Sequence, residues 1–154
     1  MPKSVWLTSA AACLIAAAPI GLLHATDATT SPSDLNARLD TLFGSHESVE
    51  QFLASLKADC ADKRWPAIAA KIAYPLKTRI AGRSVTIRNP SEFIAHSEDL
   101  LTPKVVAAIE RQAYASLFSN DRGVMIGDGE VWFSGVCEDA ACKIAPVKII
   151  AINP

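Results

Sequence analysis

Residues 123–133 read GVMIGDGEVWF, and this stretch decides the fold. Asp128-Gly129 is a two-residue hairpin turn signal between two short arms. A turn of that size opposes Gly127 with Glu130, Ile126 with Val131, Met125 with Trp132 and Val124 with Phe133. Side chains alternate across a strand. Val124, Ile126, Val131 and Phe133 therefore share one face, and Met125, Glu130, Trp132 and Val136 share the other. The first set is enough for a core. The second places an aromatic ring and a thioether beside one carboxylate, which predicts either a contact surface or a face on which Trp132 simply packs over a flanking helix.

The flanking sequence supplies the rest of the sheet and its cover. Downstream, residues 143–152 are predicted as a last strand, with Ala145, Val147, Ile149 and Ala151 on one face and Ile144, Pro146, Lys148 and Ile150 on the other. Upstream, the alternation of Tyr74, Leu76, Thr78 and Ile80 with polar neighbours, then Gly82, then Val85 and Ile87, predicts a hairpin with one apolar face. Pro75 has no backbone donor, so that strand starts there or lies at an edge.

Helices precede each group of strands. Ser31-Pro32-Ser33-Asp34 is a start signal: a capping serine, proline in the first turn and an early acid. Leu35, Leu39 and Leu42 follow at helical spacing to Gly44. Ser45 opens a second helix with Val49, Phe52, Leu53, Leu56 and Cys60 on one face. A third, shorter helix starts near Pro66. Asn89-Pro90 with Glu92 opens a helix to about Leu100. Thr102-Pro103 opens another, with Val106, Ile109, Ala113 and Leu117 on one face and an end at residues 120–123. Helices, a hairpin, helices and a three-stranded meander predict an α+β fold, with N-terminal helices packed on a curled antiparallel sheet.

The N-terminus predicts a compartment. Lys3 is followed by nineteen uncharged residues from Val5 to Leu23, then by a polar segment from Asp27. That order is expected of a secretory signal peptide over residues 1–25, a polar linker over 26–31 and a single domain over 32–154. An uncleaved membrane anchor is the alternative, weakened by Pro19, Gly21 and the lack of a basic stop-transfer cluster. Loss of Lys3 leaves 14 basic and 16 acidic residues, a net charge of −2. These charges are scattered rather than striped, so neither nucleic acid nor, after cleavage, a membrane is an expected partner. A periplasmic or secreted location lets Cys137 and Cys142 pair around the loop Glu138–Ala141. Closing so short a ring contributes about 2 kcal/mol in the chain-entropy picture. Cys60 is left as a buried free thiol. A zinc site would lack partners, since His46 and His96 have no ligand-like spacing.

The element order over most of residues 34–152 resembles the nuclear-transport-factor-2-like superfamily, a cone-shaped α+β fold. The run LFSNDRGVMIGDGEVWF, residues 117–133, is also similar to segments of small uncharacterised secreted bacterial proteins with that fold. The resemblance implies a cone pocket and, as in many members, a homodimer formed through the sheet. Some members are isomerases or dehydratases working in the cone. Tyr74, His96, Asp99, Asp128 and Glu130 are the titratable candidates for such chemistry, but none sits in a matching motif, and no catalytic residue is carried over. No P-loop, dinucleotide fingerprint, nucleophile elbow or zinc helix is present, and no cofactor or metal is expected. The expected function is a non-catalytic exported domain that binds a protein partner or a small apolar ligand through Met125, Trp132, Tyr74 and Glu130. Toxin immunity or inhibition of an envelope enzyme is one alternative. A cone-pocket lyase, isomerase or hydrolase is the other.

Overall fold

The computed structural model describes residues 31–143 and 145–154. The expected signal peptide and residues 26–30 of the linker lie outside the described residues. The described chain is α+β, with six α-helices and two antiparallel sheets.

Helix α1 spans Pro32–Phe43 and α2 spans His46–Ala61. Ser31 caps the first and Ser45 the second, through bonds from the Ser33 and Ser48 amides. Gly44 ends α1 in the left-handed region, at φ 78°, where a β-carbon would be strained. All five apolar residues expected on the face of α2 are buried. Leu35 and Leu39 are buried as well, but Leu42 is exposed, and Phe43, one residue on, is the side chain that packs against the core.

Helix α3, Trp65–Ala70, leads to the hairpin of β1, Leu76–Ile80, and β2, Arg83–Ile87. Its register runs from Leu76↔Ile87 to Ile80↔Arg83, around Ala81 and Gly82 at φ 48° and 78°. Two positive φ values at a two-residue loop match the twist of the strands. The expected helix to Leu100 is two pieces, α4 Pro90–Ala95 and α5 Ser97–Leu100, broken at His96, whose backbone leaves helical geometry at φ −108° and ψ 15°.

Helix α6 is Pro103–Arg111, shorter than expected. It stops because Gln112 is used elsewhere. The Gln112 carbonyl accepts from Lys57 Nζ at 2.8 Å, and its side-chain oxygen accepts from the Gly127 amide at 2.8 Å. Ala113, expected on the apolar face, is consequently exposed. After a 3-10 turn at Tyr114–Ser116, residues expected to end the helix form strand β3, Phe118–Asn120.

Strand β4, Gly123–Ile126, β5, Val131–Gly135, and β6, Val147–Ile152, complete a sheet in the order β3-β4-β5-β6. The predicted pairs Val124↔Phe133, Met125↔Trp132 and Ile126↔Val131 are all formed. The turn is not the expected two-residue one. Pairing stops at Ile126↔Val131, and Gly127–Glu130 is a four-residue loop with positive φ at Gly127 and Gly129. Loops of two and four residues share the same parity, so the register is unaffected.

The last strand departs from simple alternation. A bulge sets Ala151 opposite Trp132 and Ile149 opposite Phe133, so Ile150 is the extra residue. The expected set Ala145, Val147, Ile149 and Ala151 therefore does not share a buried face. Ile149 and Ile152 are buried, and Ala145 is exposed. Ile144 lies outside the described residues.

Val124, Ile126, Val131 and Phe133 form the inner face, each 0 % exposed. Phe133 meets Phe52 of α2 at 4.9 Å between ring centroids and Phe43 of α1 at 6.4 Å. A buried ring of this kind contributes roughly 1.5–3 kcal/mol from apolar burial. The small sheet is tied to the large one through β6. The Thr78 hydroxyl donates to the Ile152 carbonyl at 2.7 Å. Just before β1, Ile149 N donates to the Lys71 carbonyl and Ala73 N donates to the Ile149 carbonyl.

Cys137 and Cys142 form the expected disulfide, with α-carbons 4.7 Å apart, and Cys60 is a free, buried thiol. The bond suggests an oxidising, extracellular-type environment. No helix among the described residues is long and apolar enough to cross a membrane.

Candidate functional site

The outer face of the four-stranded sheet carries an apolar row that crosses every strand. Phe118 pairs with Met125, Met125 with Trp132 and Trp132 with Ala151. Phe118 and Trp132 flank Met125 and meet edge-on, 6.4 Å apart at 84°. Phe118 is 49 % exposed, the most exposed large apolar side chain in the described chain. Met125 and Trp132 are half-buried. The loop closes one end of the row, where a β-carbon on Gly129 would stand 3.7 Å from Trp132 Nε1 and 3.8 Å from Met125 Sδ. The next row is polar, with Asn120 opposite Gly123 and Ser134 opposite Lys148.

The structure thus brings together two of the four expected binding residues, Met125 and Trp132, and separates the others. Glu130 does not share their face. The loop frees it from strand alternation, and its side chain turns toward α6. There it is 5 % exposed, accepts from Lys104 Nζ at 2.9 Å and from the Asp128 amide at 2.6 Å. The Lys104 bond lowers its pKa below the ordinary value against the opposing effect of burial. Gly127 is required here. It sits at φ 65°, and a β-carbon would collide with the Glu130 carboxylate and approach Ala108 of α6 to 2.9 Å.

Tyr74 is also apart from the row. It packs against the core, and its hydroxyl donates to the Ala69 carbonyl at 2.9 Å. Burial pushes its pKa up to about 12. Bonded in this way, the phenol anchors the end of α3.

Sequence pattern alone does not point to Phe118, because the helical spacing of Val106, Ile109, Ala113 and Leu117 runs up to the residue before it. The signal for its strand lies in Asn120-Asp121-Arg122-Gly123, a turn between two short apolar runs, and the Arg122 amide is indeed bonded to Asn120 Oδ1 at 2.9 Å. Asp59 is not marked by pattern either. It is buried on α2, bonded to Arg64 Nε at 2.9 Å and Lys71 Nζ at 2.5 Å. Burial acts to raise its pKa, but the Lys71 and Arg64 bonds outweigh that and hold it low. This carboxylate is fully engaged in joining α2 to α3.

The remaining titratable candidates stand at the surface or in the α1–α2 turn. His96 Nδ1 and Asp99 Oδ2 lie 3.5 Å apart on an exposed surface. Among the described residues, Asp40, His46 and Glu47 offer metal-type donor atoms within 4.8 Å of one another. Each is already used in the α1–α2 turn. Asp40 Oδ1 takes both the His46 amide at 2.6 Å and Nδ1 at 2.7 Å, and Glu47 accepts from the Ser45 hydroxyl. No family model matches the chain, and no curated protein or solved structure matches it either.

Proposed function

We propose that this chain is an exported, non-catalytic domain that binds a protein partner through the outer face of its four-stranded sheet. The observation that carries the reading is the exposed Phe118 ring standing edge-on to Trp132, in a row that spans four strands. A solvated sheet face ordinarily carries polar side chains, and an apolar patch of adjoining rings and a thioether is characteristic of a contact surface. The inner face argues against a ligand held inside the sheet, since Phe133, Phe52 and Phe43 fill that space with one another.

Two further readings accompany it. The cone-shaped arrangement of the nuclear-transport-factor-2-like superfamily is supported by the element order and by Thr78, which lays β1 beside β6. Export through cleavage near Ala25 is supported by the uncharged run before it and by the disulfide.

The test of the surface is a pair of variants, Trp132→Ala and Phe118→Ser. Both should abolish capture of the partner, or self-association by light scattering, while denaturant melts stay within about 1 kcal/mol of the parent. If Trp132→Ala instead melts the domain as severely as Phe133→Ala, the ring is core and the proposal fails. Intact mass of the protein from an extracytoplasmic fraction tests export, with an N-terminus near Thr26 expected and a full-length product confined to the cytoplasm overturning it.

A further inference from the structure

A cleft of about 490 Å³ opens where the end of α2, the start of α3 and the α5–α6 corner meet. It is separate from the apolar row on the sheet. Its size is that of a small-molecule site rather than a water pocket.

The walls are apolar and firmly held. Leu101 is 7 % exposed, and Trp65 and Val106 are half-buried and pack on the core. Cys60 lies at the inner end, 2 % exposed. Burial, and then the negative charge of Glu110, push its thiol pKa up, so it is a neutral wall and not a thiolate nucleophile.

The polar groups on the wall make no side-chain bond or ion pair to a described residue, and Lys63, Glu98 and Glu110 are exposed. Ser97 is 7 % exposed, lines the cleft, and its hydroxyl bonds to no described residue. The hydroxyl lies on the cleft wall, where it can bond to a molecule that enters. Glu98 and Glu110 also line the cleft, and no ion pair with a described residue neutralises either. Lys63 is the one cation among the lining residues. Two carboxylates against one ammonium leave the cleft net negative.

We propose that this cleft binds a small organic cation: an apolar body seated among Leu101, Val106 and the Trp65 ring, with an ammonium group held by Glu98 and Glu110. The Trp65 ring adds attraction for a cation at its face. Ser97 supplies a hydroxyl for a polar atom of the ligand. An anion of the same shape would meet both carboxylates and be rejected.

The test uses three probes of one shape and different charge: phenethylammonium, 2-phenylethanol and phenylacetate. Binding to the whole protein is followed by the indole N–H resonance of Trp65, identified by its loss in Trp65→Phe. Phenethylammonium should shift that resonance saturably and leave Trp132 unmoved. Phenylacetate should bind at least about tenfold more weakly. Glu98→Gln and Glu110→Gln should each weaken the cation about three- to tenfold, and Ser97→Ala should weaken it less. Added salt should weaken phenethylammonium and leave 2-phenylethanol unchanged. The wild-type salt response needs no variant, so the charge claim is testable even if a substitution fails to fold. The proposal is overturned if none of the probes saturates the Trp65 shift by about 10 mM. It is also overturned if phenylacetate matches the cation, or if folded glutamine variants bind as the parent does.

Discussion

The two hairpins obey one rule of alternation and face different surroundings. In the β1–β2 hairpin, Leu76, Thr78 and Ile87 point inward, while Lys77, Arg79, Ser84 and Thr86 point to solvent. In the β4–β5 hairpin, Val124, Ile126, Val131 and Phe133 point inward, while Met125 and Trp132 point out. Inner faces are dictated by the core and resemble each other. The outer faces are where the chain is free to choose, and the second hairpin spends that freedom on apolar side chains.

The largest expected effect separates the inner faces from the outer ones. Phe133→Ala should destabilise the domain by about 3–5 kcal/mol in denaturant melts. Thr86→Ala, on the solvent side of the first hairpin, should stay within about 0.5 kcal/mol. Equal losses would break the distinction between the two faces.

A middle-sized effect tests what holds the second loop. Glu130→Gln keeps the shape but removes the charge that takes the Lys104 and Asp128 bonds, and should cost about 1–3 kcal/mol at neutral pH. The sign with pH follows from the lowered pKa. The carboxylate's contribution is present above its ordinary value of 4.5 and is lost as pH falls through the lower folded value. The gap between parent and variant should therefore narrow in acid. A gap that widens there would show that the charge of Glu130 is not what fastens the loop.

The smallest effect has the opposite sign. Ala81 holds φ 48° in the first turn, a region that strains a β-carbon. Ala81→Gly should stabilise the domain by about 0.5–1 kcal/mol, read as a raised melting midpoint. Gly129→Ala in the second loop, at φ 111°, should destabilise it.

The readable parts of this fold were those set by local pattern. The register around Met125 and Trp132 follows from where the apolar residues lie, and the caps at Ser31, Ser45, Asn89 and Thr102 follow from side-chain chemistry at helix starts. What was hidden depends on partners distant in sequence. Gln112 leaves the helix because Lys57, 55 residues earlier, takes its carbonyl. Glu130 leaves its expected face because Lys104 on α6 takes its carboxylate. The bulge beside Trp132 lets Ile149 and Ile152 both reach the core, a requirement set by three-dimensional curvature rather than by strand period. Of the binding row, Met125 and Trp132 were visible from alternation, but Phe118 needed the edge strand that brings it there.

Strand β6 has a consequence for how the domain comes apart. It pairs with β5 on one side, and on the other it clasps Lys71, Ala73 and Thr78, whose partners lie more than 70 residues along the chain. Releasing the small hairpin from the large sheet means breaking the same strand that completes the core through Ile149 and Ile152. The two sheets are therefore expected to open as one cooperative unit. The amides of Ala73 and Ile149, far apart in sequence, should exchange with solvent deuterium at a common rate set by global unfolding, whereas the exposed 137–142 loop should exchange freely.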